Sequence, residues 1–140
     1  MTDQGDGIRQ SPVLAKLDNS GNIILTAPVG AGPSIPIFDG TNIWVPNQSD
    51  NTVSVVRATT GVVLATLSGN GLNFPNQAAF DGQRILVTNV TGDSVSLWKA
   101  ADFTPLGSFE TGAGSAPDGA CSDGINFWIT LGSANKLARF

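Results

Sequence analysis

The apolar residues of the chain gather in short runs, Ile43-Trp44-Val45, Ile85-Leu86-Val87 and Phe127-Trp128-Ile129, each with an Asp-Gly pair shortly before it. No window carries an apolar stripe at helical spacing through three turns, so the pattern predicts strands rather than helices. Between the runs lie Gly, Pro, Asn, Asp, Ser and Thr, each of which favours turns for its own backbone reason. Short strands at regular spacing with turn signals between them predict an all-β fold.

The spacing is periodic. Asp39-Gly40, Asp81-Gly82 and Asp123-Gly124 are 42 residues apart, and Pro33, Pro75 and Pro117 keep the same register. So do Trp44, Leu86 and Trp128, then Val45, Val87 and Ile129, and then Val53, Val95 and Leu137. A fixed period of this size marks a repeat architecture. Each unit reads as four strands: Ser34 to Phe38, an Asp-Gly hairpin, Asn42 to Pro46, a polar loop, Thr52 to Arg57, a turn, and Val62 to Leu67. Asp-Gly suits a tight hairpin because its glycine tolerates positive φ. The second strand is apolar on both faces, as in a sheet covered on both sides. Four antiparallel strands in about 42 residues make a β-propeller blade. The predicted organisation is a polar leader over 1–12 and a propeller unit over 13–140. Its repeats are at about 33–74, 75–116 and 117–140, with strand 21–28 as a clasp.

The stretches Phe38-Asp-Gly-Thr-Asn-Ile-Trp-Val45 and Asn51-Thr-Val-Ser-Val55 resemble repeats of the YVTN/virginiamycin-B-lyase-like (NHL-like) propeller superfamily, and the resemblance runs from Val13 to Phe140. It implies the blade fold. It says little about activity, because these are packing and turn residues, and one fold hosts many functions. Lyase relatives are expected to use histidine with a divalent metal at the channel mouth. This chain has no histidine, so that residue set does not carry over.

Three blades fall short of the four to eight of a typical propeller. Leu14-Ala-Lys-Leu17 is similar to Leu137-Ala-Arg-Phe140, so the chain starts and stops near the same point of a blade. The third repeat supplies strands one to three, and the N-terminal segment reads as a spare fourth. The expectation is a six-bladed ring closed by two copies of the chain with strands exchanged at both seams, a symmetric homodimer. The alternative is a piece of a larger propeller.

Composition narrows the chemistry. The chain has 140 residues, 11 acidic and 7 basic, and a net charge of −4, which argues against a nucleic-acid partner. No apolar run reaches membrane-spanning length, and the N-terminus is polar, so the default location is cytoplasmic. Histidine and tyrosine are absent, and Cys121 is the single cysteine, expected to be a small buried residue of the first strand. Gly112-Ala-Gly114 lacks the Lys-Ser/Thr and helix of a phosphate-binding loop. The sequons at Asn47 and Asn89 are discounted without a secretion signal.

The loops between strands two and three, and those crossing between blades, form the face that propellers commonly use for binding. They place Ser34, Asn76, Gln77 and Asp118 toward the channel mouth, and Asn47 and Asn89 in the loops. Such a rim could hydrogen-bond a small polar ligand, a sugar or a peptide. Turns require the same residue types anyway, and that reading outweighs the binding one. Asp118 is the one candidate for holding a hard cation. Trp98 is the candidate stacking residue, and Asp39, Asp81 and Asp123 read as turn residues. The expected function is a non-catalytic binding or scaffold module without a cofactor, partnered by itself. The alternative is a metal-assisted lyase- or hydrolase-type enzyme at the channel.

Overall fold

A computed structural model describes residues 11–140, so most of the predicted leader lies outside the described residues. Among the described residues, thirteen strands form four antiparallel sheets. Strands β1 (Val13–Leu17) and β2 (Ile23–Pro28) make a lone hairpin. The first blade has β3 (Ile37–Phe38), β4 (Asn42–Asn47), β5 (Thr52–Arg57) and β6 (Val63–Leu67). The second has β7 (Pro75–Phe80), β8 (Arg84–Asn89), β9 (Ser94–Lys99) and β10 (Pro105–Glu110). The third has three strands, β11 (Pro117–Ser122), β12 (Phe127–Leu131) and β13 (Lys136–Arg139). No helix among the described residues is long and apolar enough to cross a membrane.

The predicted first strand of blade one is cut down to Ile37–Phe38, with isolated bridges from Pro33 to Asn47 and from Ile35 to Gln77. The cause is Pro36. Its counterpart in blade two, Ala78, sits in the ladder opposite Val87, and proline has no N–H for that bond.

Alternation along the strands explains the stacking of the sheets. Ile85, Val87, Ala78 and Trp98 of blade two pack against Trp44, Val53 and Val55 of blade one. Ala79, Leu86, Val95 and Leu97, the alternate positions, pack against Phe127, Ile129 and Leu131 of blade three. Successive side chains of a strand point to opposite faces, so the middle blade is apolar on both. Trp98, expected to be available for stacking, is therefore buried at 2% exposure in the interface of blades one and two.

The forward face of blade three has no such cover. Trp44 and Leu86 are fully buried, but their counterpart Trp128 is only half-buried. Val53 and Val95 are fully buried, but their counterpart Leu137 is 62% exposed. Cys121 is exposed for the same reason, where its counterpart Ala79 lies under blade three. The expectation of a buried cysteine is thus corrected, because among the described residues no blade packs on that face. At the other end, Ile23 and Ile24 of the β1–β2 hairpin are exposed.

Burial at 0% makes Leu86 a direct measure of the blade-to-blade contact. Leu86→Ala should lower stability by about 2–5 kcal/mol in urea unfolding. A loss below about 1 kcal/mol would mean that the second and third blades do not pack as described.

Candidate functional site

Each residue before the repeat proline, at 32, 74 and 116, has a positive φ. Gly32 adopts it without strain, whereas Phe74 and Ala116 must be held there against a steric cost. The preceding blade supplies the hold. Asn51 Oδ1 accepts the Phe74 N–H at 2.7 Å, and Asp93 Oδ1 accepts the Ala116 N–H at 2.8 Å. Asp93 Oδ2 also accepts the Gly114 N–H at 2.7 Å. The amides of Gln48, Val90 and Gly132 bond the carbonyls of Gly32, Phe74 and Ala116 in the same register. Each strand two–three loop is thereby fastened to a blade-crossing loop. That fixes the backbone just ahead of Ser34, Asn76 and Asp118.

Those three side chains form a continuous row. Ser34 Oγ donates to Asn76 Oδ1 at 2.9 Å, and Asn76 Nδ2 donates to Asp118 Oδ1. Equivalent positions of three blades thus meet side by side. Gln48 was not singled out by the sequence, yet its Nε2 donates to Asn76 Oδ1 at 2.6 Å. It lies inside a loop identified in advance, but its register neighbours Val90 and Gly132 share no chemistry with it. Gln77 turns to the next blade and donates to the Ala120 carbonyl at 3.1 Å. Thr88 Oγ1 donates to the Asp118 carbonyl at 2.8 Å. Asp118 is exposed, and Ser34, Asn76 and Gln77 are half-buried.

Asn47 and Asn89 do not join this row. Both are fully buried. Asn47 Nδ2 donates to Thr52 Oγ1 and Ser54 Oγ, and Asn89 Nδ2 to Ser94 Oγ and Ser96 Oγ. They brace strand two against strand three and present nothing to a ligand. No cluster of three or more His, Cys, Asp or Glu suited to a metal occurs among the described residues, and Asp118 has only neutral side chains bonded to it.

The repeated aspartates sit at the opposite end of the blades, as turn residues. Asp39, Asp81 and Asp123 each accept, through Oδ1, the amides two and three residues onward. Their Oδ2 atoms reach the Trp44 indole N–H, the Arg84 guanidinium and the Trp128 indole N–H. The Asn126 amide, the Trp128 indole and the Ile125 amide hold the Asp123 carboxyl well below its usual range. Asp93 is lowered by the Ala116 and Gly114 amides.

This arrangement of stacked antiparallel blades, two of them complete with four strands, is that of a β-propeller. No family model matches the chain, and no curated protein matches it. Solved structures do. A streptogramin B lyase is 15% identical with a TM-score of 0.77, over 91% of this chain and 44% of that one. A catalytically inactive histidine-to-alanine variant of virginiamycin B lyase from Staphylococcus aureus, with quinupristin, is 14% identical with a TM-score of 0.78, over 93% and 45%. Hydrazine synthase of Kuenenia stuttgartiensis is 25% identical with a TM-score of 0.63, over 74% and 30%. The blade fold implied by the superfamily resemblance is the fold observed. The chain spans less than half the length of each of these proteins.

Both Asp93 and Asp123 have lowered carboxyl pKa values in the folded chain. Their stabilisation is complete above the unfolded carboxylate value of about 3.9 and is lost as pH falls through the lower folded values. Urea midpoints should therefore be flat from about pH 5 to 7 and fall below about pH 4. Asp93→Asn should lower the midpoint at neutral pH and shrink the acid fall. An unchanged acid limb in that variant would show that the clasp at Asp93 does not contribute.

Proposed function

We propose that this chain is a non-catalytic binding or scaffold module, and that two copies close into a six-bladed propeller presenting the Ser34–Asn76–Asp118 row and its polar loops on one face. The observation that carries the proposal is the pair of incomplete ends. The β1–β2 hairpin occupies the positions of strands three and four, whereas β11–β13 occupies strands one to three. Both ends leave strand edges unpaired within the chain and apolar residues exposed, a combination that invites pairing with another chain. A single chain matches about 44% of a lyase propeller, so two copies suit one ring.

The seam has one complication. Strand three is present twice, as β1 and as β13, with Leu14-Ala15-Lys16-Leu17 echoing Leu137-Ala138-Arg139-Phe140. The hairpin already lies over its own first blade, where Leu25 packs beside Gly61. In the proposed ring the partner's β11 and β12 slide in beside β1, completing a blade of four, and β13 is the strand displaced. Trp128 then meets the partner's first blade and gains the cover that Trp44 and Leu86 have within one chain.

The row supports a ligand of neutral polar groups. Ser34, Asn76 and Asp118 offer donors and acceptors with one carboxylate per chain. A sugar or a peptide backbone fits that chemistry. The likeness to lyases is a likeness of fold at 15% identity. The row holds no histidine, and its one carboxylate, Asp118, accepts a hydrogen bond from Asn76.

Light scattering on the purified chain should give twice the 14.4 kDa of one copy. Removal of residues 136–140 should leave that mass unchanged, because the partner's β1 supplies the third strand. A monomeric full-length chain would overturn the ring. A dimer abolished by the removal would show that β2 adds beside β13 instead.

A further inference from the structure

On the face opposite the row, the ends of the first two blades diverge around an open cleft of about 960 Å³. Its walls come from matching repeat positions. Arg57 ends β5 on one side and Lys99 ends β9 on the other, 42 residues apart. Leu64 and Leu106, also 42 apart, line its outer rim, and Phe80 and Phe103 give it an apolar floor.

Phe103 is the unusual member. Its φ is 64°, in the left-handed region that a bulky residue rarely adopts. Its counterpart in blade one, Gly61, has a φ of 74° and closes the same turn. The second copy thus carries a phenylalanine where the backbone favours glycine. The ring crosses to the neighbouring blade and meets Trp44 edge-on at 5.4 Å. Strain of this kind persists where surrounding contacts enforce it, and it clusters at binding sites.

The cations of the cleft differ in their commitments. Arg84 is held by Asp81 at 2.8 Å and stacks over Phe127, so it is engaged toward blade three. Arg57 bonds Asn42 through Nε at 3.1 Å, and among the described residues its terminal nitrogens meet no acceptor. The Lys99 ammonium makes no hydrogen bond or ion pair among them, and, after the Thr104 hydrogen bonds, its charge helps to lower the pKa of the nearby Asp102 carboxyl. Of the carboxylates in the lining, Asp39 is bonded to its turn amides and to Trp44, and Asp102 accepts the Thr104 amide.

We propose that this cleft binds a small anionic amphiphile, its carboxylate between Arg57 and Lys99 and its apolar body on Phe103, Phe80, Leu64 and Leu106. The cleft has the size of a small-molecule site, and cationic side chains on two walls beside apolar ones favour an anion with a hydrophobic tail. The cleft lies within one chain, so the inference does not depend on closure of the ring.

Titration calorimetry with decanoate is the test. One saturable site per chain is expected. Arg57→Gln and Lys99→Gln should each weaken it about tenfold, as should replacing decanoate by uncharged decanol. Phe103→Gly restores the residue found at the matching turn, so it should keep the fold while weakening decanoate binding. The proposal is overturned by the absence of saturable binding up to about 1 mM decanoate. Binding that both glutamine variants retain, or that decanol matches, would also overturn it, since that is adsorption on the exposed apolar ends.

Discussion

The structure depends on one constraint: a blade of this sequence is apolar on both faces and must be covered on both. Strand two of the middle blade shows it at single-residue resolution, with Ile85 and Val87 buried against one neighbour and Leu86 against the other, all at 0% exposure. Removing apolar surface from water is the dominant favourable term in folding, and a two-sided sheet obtains it only by stacking. The same constraint governs the ends. Trp128, Leu137 and Cys121 are residues of interior type at interior repeat positions, and among the described residues no blade packs over them, which leaves Trp128 half-buried and the other two exposed. The proposed pairing of two chains is what this constraint asks of the end faces.

A second layer of interactions ties each blade to the loop that crosses to the next. Asn51 and Asp93 reach from one blade to the amides of the next crossing loop and hold Phe74 and Ala116 at positive φ. Hydrogen bonds to an ionised group are stronger than neutral ones, so the Asp93 clasp, with two amides on one carboxylate, is the firmer of the two. These loops carry the row Ser34, Asn76 and Asp118, so the candidate face inherits its geometry from turn chemistry. Scaffold and site are built from the same residue types, which is why composition could not separate them.

What could be read from the sequence followed from periodicity. The 42-residue register placed the strands, the Asp-Gly hairpins and the neighbouring positions of Ser34, Asn76 and Asp118, because equivalent residues of adjacent blades must meet. Register says nothing about what covers a residue. Analogy with Ala79 predicts a buried Cys121, and alternation makes Trp98 a candidate for stacking, but burial depends on which blade stands opposite, and that reverses both. Asn47 and Asn89 were assigned to the loop face, but as the last residues of strand two they point inward, where Ser54 and Ser96 receive them. Gln48 escaped notice because its repeat partners are not polar amides. Pro36 was visible throughout, and its missing N–H shortens β3 as proline chemistry requires.

Comparing the three copies separates scaffold from candidate chemistry in a way that a single unit does not allow. Where the copies agree, as at Asp39, Asp81 and Asp123, the side chains close turns in identical fashion. Several positions at which they differ line surfaces: Ser34, Asn76 and Asp118 on one face, Gly61 and Phe103 beside the cleft on the other. Ser34, Asn76 and Asp118 lie outside the two apolar clusters that stack the blades, so variation there leaves the stacking intact. Divergence there distinguishes one blade from the next and turns three similar units into unequal surfaces. In a two-chain ring that inequality would be repeated by symmetry, giving two acidic points across the channel and two clefts on the opposite face. Ligand recognition by such an assembly would rest on the few positions at which its repeats have ceased to match.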